Sequence, residues 1–116
     1  MPIAATLDHG RFDPRRIAAM LLTTADDLAR STGLGRDAIG RTARLNQPRT
    51  QRRLREFVEV ITKVEERFGS PLAAYAWYRA QPLPGFAGAT AMALVQAGRA
   101  TDVLEYIDAV DAGIYA

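Results

Sequence analysis

WYRAQPLPGFAGATAMALVQAGRATDVLEYIDAVDAGIYA, residues 77–116, reads as a loop, two short helices and an apolar ending. Between Arg79 and Thr90, the residues Pro82, Pro84, Gly85 and Gly88 deny the backbone a continuous helix or strand. A helix is predicted over about Ala89 to Ala97, with Met92, Leu94 and Val95 apolar and Gly98 as its stop. Another is predicted over about Ala100 to Asp111. Its period places Val103, Leu104, Ile107 and Val110 on one face and Asp102, Glu105 and Asp108 on the opposite one. Gly113 closes it, and Ile114, Tyr115 and Ala116 follow.

Carboxylates spaced three apart on a helix repel one another by roughly a few tenths of a kcal/mol per pair. No Lys or Arg follows Arg99 in the sequence to offset them. An Ile-Tyr pair where a chain frays gains nothing unless something covers it. Both features belong to a docking surface. The plainer alternative is a solvated acidic face with the tail folded back on its own core.

The order Trp77, Pro82, Leu83, Thr90, Leu94, Gly98, Ala100, Val103, Leu104, Ile107, Gly113, Tyr115 resembles the toxin-binding domain of the MbcA/ParS/Xre antitoxins. That pattern is a Trp, a short loop, a helix, a Gly, an amphipathic helix and a terminal Gly with an aromatic close behind. The similarity is close over about residues 68 to 116 and looser elsewhere. It departs from the family at Thr90-Ala91, where Thr-Pro usually opens the helix. The resemblance implies an antitoxin whose partner is a RES-domain toxin, an NAD-consuming or ADP-ribosyl-transferring enzyme with a basic pocket for an anionic dinucleotide. It implies inhibition by occlusion of that pocket. The residues expected against the toxin are Arg79, Asp102, Glu105, Asp108, Gly113, Ile114, Tyr115 and Ala116.

A length of 116 residues, 48% of them hydrophobic, suffices for one core or two small interdependent lobes. No apolar run reaches the ~20 residues of a membrane span, and the start MPIAATLDHGRFD lacks the pattern of a secretory signal. A cytoplasmic location without membrane contact is the expectation. The absence of cysteine excludes a disulfide framework and a thiolate metal site. Residues 1–55 hold eleven Arg against five Asp, whereas residues 56–116 hold four basic against eight acidic residues. The amino half therefore attracts polyanions and the carboxyl half repels them.

Taken in order, the first ten residues read as a loose arm, with His9 exposed and too isolated in sequence for a metal or catalytic role. Asp13 and Pro14 announce a helix to about Leu22, and Thr24 caps a second one that stops near Thr32-Gly33. A third is predicted over Arg36 to Leu45. Ala29, Gly33 and Ile39 then have the spacing of a helix-turn-helix, in which a small residue, a left-handed turn and a branched apolar lock recur. Arg36, Arg41, Arg44, Arg49 and Arg52 are the expected DNA-binding residues, with Asn46, Gln47 and Arg53 beside them. Gly40 in mid-helix and Thr42 at an inward position count against it. A helical hairpin with a solvated basic face is the alternative.

Pro48 to Phe68 forms the longest predicted helix, with Leu54, Phe57, Val58, Ile61, Val64 and Phe68 as one apolar stripe. The stripe fits either a core or a homodimer seam. Gly69 ends it, and Ser70-Pro71 starts a helix carrying Trp77 and Tyr78, read as core and loop support.

The expected architecture is thus all-α: an arm and helix-turn-helix lobe over 1–47, a linking helix over 48–69 and a toxin-binding lobe over 70–116. The leading function is a type II antitoxin that neutralises its cognate toxin and represses its own operator, as a homodimer or as a hetero-oligomer with the toxin. The alternative is a free-standing helix-turn-helix regulator with a C-terminal dimerisation lobe. An enzyme is disfavoured, since two serines and one histidine assemble no nucleophile with a base. No cofactor is implied.

Overall fold

The computed structural model describes residues 1–40 and 42–113, with the backbone alone at 42 and 43. Arg41, Ile114, Tyr115 and Ala116 therefore lie outside the described residues. The element order is a 3₁₀ turn η1 (Ile3–Thr6), strands β1 (Leu7–Asp8) and β2 (Arg11–Phe12), then helices α1 (Pro14–Met20), α2 (Ala25–Thr32), α3 (Arg36–Gly40), α4 (Thr42–Leu45), α5 (Pro48–Phe68), α6 (Pro71–Ala80), α7 (Ala91–Gln96) and α8 (Ala100–Asp111). The fold is mostly helical, with one small antiparallel hairpin.

Local chemistry explains the boundaries. Asp13, Thr24, Ser70 and Thr90 each accept a backbone N–H of the turn they open, and Pro14, Pro48 and Pro71 stand at first helical positions. Thr90 caps α7 without the family's proline, since the hydroxyl alone satisfies the Ala93 N–H. Helix α8 spans Ala100–Asp111, as its period predicts.

Helix α5 is the axis. Leu54, Phe57, Val58, Ile61 and Val64 are buried as expected, and Val60, off the predicted stripe, is fully buried too. Each such side chain is worth about 1.5–3 kcal/mol when removed from water. Phe57 meets Tyr75 and Tyr78 edge-on, at centroid separations of 5.8 and 5.0 Å. Phe68 departs from the stripe: it is 41% exposed and lies beside Trp77, centroids 6.3 Å apart.

One apolar cluster runs from Ile17 through α5 to Ile107. The two halves of the chain are also joined by polar contacts at the end of α2, whose last carbonyls have no partner within their own helix. Gln96 Nε2 donates to the Arg30 carbonyl at 2.7 Å, the Tyr78 hydroxyl to the Ser31 carbonyl, and Arg53 Nη1 to the Thr32 carbonyl at 3.4 Å. Ser31 Oγ and Tyr75 Oη share a further bond of 2.7 Å. Gly33 turns the chain away at φ +76°, and a Cβ there would sit 3.0 Å from Gln96 Cα. The N-terminal helices and α7 are thus fitted together, not linked by α5 alone.

Several expectations need correction. The first ten residues are no loose arm: Met1 is buried with its amino group against Glu65, and β1 and β2 pair through a two-residue loop. His9 and Gly10 both take the positive φ that such a loop requires, at 51° and 77°. Helix α1 ends at Met20, short of Leu22, which turns at φ 52° and is 80% exposed. The helix expected over Arg36 to Leu45 is described as α3 and α4 on either side of Arg41, and no residue of α3 is fully buried.

Candidate functional site

Two surfaces merit attention, at opposite ends of the sequence. On the C-terminal one, the carboxylates of α8 have partners that the sequence did not disclose. Asp102 Oδ2 lies 2.8 Å from Arg99 Nε, Asp108 Oδ1 lies 2.6 Å from Lys63 Nζ, and Asp111 meets Arg67. Lys63 and Arg67 come from the last turns of α5, 45 and 44 residues before their partners. The expected repulsion along α8 is therefore relieved by cations from a neighbouring helix. The hydrogen bond that Lys63 donates to Asp108 raises the Lys63 pKa above its ordinary 10.5. Glu105 is exposed, and no ion pair reaches it among the described residues. Arg79, on α6, holds its guanidinium 4.3 Å above the Tyr75 ring centroid. Gly113 follows α8 with a φ of 81°.

Beside α8 runs an apolar groove of about 580 Å³, lined by Phe68, Trp77, Ala80, Pro82, Pro84 and Tyr106 among others. Its floor is set by the loop between α6 and α7. Leu83 is buried, its N–H donates to the Ala89 carbonyl, and Phe86 meets Tyr106 edge-on at 6.1 Å. Sequence periodicity places Phe68 in the core stripe and gives no signal for Tyr106, so neither is expected from the sequence at this groove.

The N-terminal surface is basic. Arg36 is 3.3 Å from Asp26 and Arg44 is 3.6 Å from Asp37. Arg49 and Arg52 are exposed and make no ion pair among the described residues. Arg36, Arg44 and Arg49 line one open concavity with Gln47, so the fold does bring these three together. Arg53, expected beside the DNA-binding residues, points inward: it is hydrogen-bonded to the carbonyls of Thr32 and Val95, at the ends of α2 and α7. A guanidinium suits the carbonyl ends of two helices, which carry partial negative charge. Among the described residues no group of three His, Asp or Glu forms a metal site, and no helix is long and apolar enough to cross a membrane.

Residues 63–113 match the model of the antitoxin Xre/MbcA/ParS C-terminal toxin-binding domain. That stretch of the chain carries this family's domain. No curated protein and no solved structure matches the chain. The toxin-binding domain takes in the last turns of α5, all of α6, α7 and α8, and the loop between α6 and α7. It contains both walls of the apolar groove, the whole acidic face and the two cations that pair with it. The hairpin and the basic N-terminal surface lie before it. A toxin-binding domain implies a protein partner, and the family supports an antitoxin role for the chain.

Proposed function

We propose that this chain is the antitoxin of a type II toxin-antitoxin pair, that it neutralises a RES-domain toxin by occluding its active-site cleft, and that it represses its own operon by binding operator DNA. The match of residues 63–113 to the antitoxin toxin-binding domain carries the first part of this reading. A RES-domain enzyme acts on an anionic dinucleotide, so its cleft is basic, and α8 offers Asp102, Glu105 and Asp108 on its outer side. The groove lined by Phe68, Trp77 and Pro84 lies in the same domain and supplies apolar area, which exposed carboxylates do not. Gly113 and residues 114–116 are proposed to extend the contact into the cleft. DNA binding is supported by the excess of arginine in the amino half.

The test is co-expression with the adjacent toxin gene. A chain lacking residues 113–116 is expected to neutralise incompletely, read as slower growth than with the full chain. Full rescue by the shortened chain would exclude the tail from the mechanism. A neighbouring gene product with no affinity for the chain would exclude the antitoxin reading altogether.

A further inference from the structure

The hairpin at the start of the chain is pinned to α5 by a single side chain. Gln51 Oε1 accepts the Phe12 N–H at 2.8 Å, and Gln51 Nε2 donates to the carbonyls of Phe12 at 3.1 Å and Leu45 at 3.0 Å. Three backbone groups from β2 and the end of α4 are thereby held at one point of the second turn of α5. The hairpin becomes a fixed part of the basic surface.

The charges around this junction are not equivalent. Arg16 faces Asp8 and Asp13, Arg55 faces Glu59, and Arg36 and Arg44 have the partners given above. Arg11, Arg15, Arg49 and Arg52 are exposed and make no ion pair among the described residues. A paired guanidinium is largely offset by its partner at a distance, whereas an unpaired one projects its charge out to one Debye length, about 8 Å at physiological salt. Three of them, Arg11, Arg15 and Arg52, border the hairpin. Arg11 and Arg15 line a concavity with Phe12, Leu45, Asn46 and the carboxylates of Asp8 and Asp13, which Arg16 offsets, and Arg52 lines the next one with Gly10, Phe12 and Pro48. Phe12 is common to both, and Arg49, one residue after Pro48, lies where this surface meets the concavity of Arg36 and Arg44. Neither concavity is a closed pocket for a small anion. The arrangement suits a long polyanion lying across the seam between hairpin and α5.

We propose that Arg11, Arg15, Arg49 and Arg52 form the phosphate-binding surface for duplex DNA, with the hairpin as a rigid wing, and that the face bearing Arg36 and Arg44 is secondary. This rests on the DNA-binding part of the function proposed above and is independent of toxin neutralisation.

The experiment measures the binding of the full chain to a fluorescent duplex of its upstream region by anisotropy, across a salt series. The plot of log affinity against log salt is expected to become shallower by about 0.9 for each arginine removed that meets a phosphate. A variant with Arg11, Arg15, Arg49 and Arg52 all changed to Gln should lose most of the slope at unchanged circular dichroism and Tm. R36Q/R44Q should keep most of it. If instead R36Q/R44Q loses the slope and the fourfold variant retains it, DNA binding stands but the hairpin surface is wrong. If the unaltered chain binds no duplex at low salt, both the DNA-binding reading and this inference fall.

Discussion

The Tyr78 hydroxyl donates to the carbonyl of Ser31, 47 residues earlier in the chain, and both groups are buried. Ser31 O is one of the carbonyls left over at the end of α2, so Tyr78 acts as a cap supplied from α6. Burial pushes the Tyr78 phenol well above its ordinary pKa of 10.0, and the neighbouring Tyr75 adds to the shift. The folded-state value lies above the unfolded one, so the contribution is complete below pH 10 and declines as pH rises beyond it. The decline is about 1.4 kcal/mol per pH unit. Tyr78→Phe should cost about 1–3 kcal/mol at pH 7 by leaving a buried carbonyl without its donor. It should also flatten the fall in stability between pH 10 and 11.5, as measured by urea unfolding. Lys63, whose raised pKa acts in the same direction, leaves a residual slope.

Arg53 closes the ends of two helices at once, through the carbonyls of Thr32 and Val95. Arg53→Ala should destabilise the protein by about 2–4 kcal/mol, more than an exposed arginine, because two carbonyls lose a charged donor. Arg53→Lys should recover less than half of this, since one ammonium lacks the planar fork of the guanidinium. Equilibrium unfolding of both variants, beside Arg52→Ala as an exposed control within about 0.5 kcal/mol of the parent, checks the assignment.

Two glycines separate the cost of backbone strain from the cost of space. Gly33 and Gly69 both end helices at positive φ, +76° and +83°, yet a Cβ at Gly69 meets nothing within 4 Å while one at Gly33 meets the Gln96 backbone at 3.0 and 3.2 Å. Gly69→Ala should cost only the left-handed conformation, about 1–2 kcal/mol. Gly33→Ala should cost at least about 2 kcal/mol more than Gly69→Ala, because α2 and α7 must separate. The two midpoints in urea give the comparison directly.

What the sequence disclosed was local. Asp13-Pro14, Thr24, Ser70-Pro71 and Thr90 announce helix starts, and Gly33, Gly69 and Gly98 stand where helices stop, because capping is decided within four residues of chain. The stripe on α5 is legible for the same reason: its period is a property of one helix. The hairpin escaped because each strand is two residues long, too short for alternation, and because its anchor, Gln51, lies 39 residues away. Arg53 escaped because an inward arginine is explained only by carbonyls at the ends of two other helices. The acidic face of α8 was correctly placed, but its partners Lys63 and Arg67 sit on α5. Long-range pairing of this kind leaves no periodic trace.

Those partners change what a toxin would feel on approaching α8. Asp102, Asp108 and Asp111 each face a cation, whereas Glu105 has no ion-pair partner among the described residues. Exposed pairs such as Lys63–Asp108 contribute only about 0–1 kcal/mol to folding, so their removal tests binding with little effect on stability. Glu105→Lys should therefore weaken neutralisation more than Asp102→Asn or Asp108→Asn. Its effect should appear mainly in the association rate and diminish as salt is raised, because rim charges steer encounter. Phe68→Asp, in the apolar groove, should instead raise the dissociation rate with little dependence on salt. Binding kinetics with the purified toxin at two ionic strengths distinguish the two; an unaltered association rate for Glu105→Lys would remove α8 from the contact.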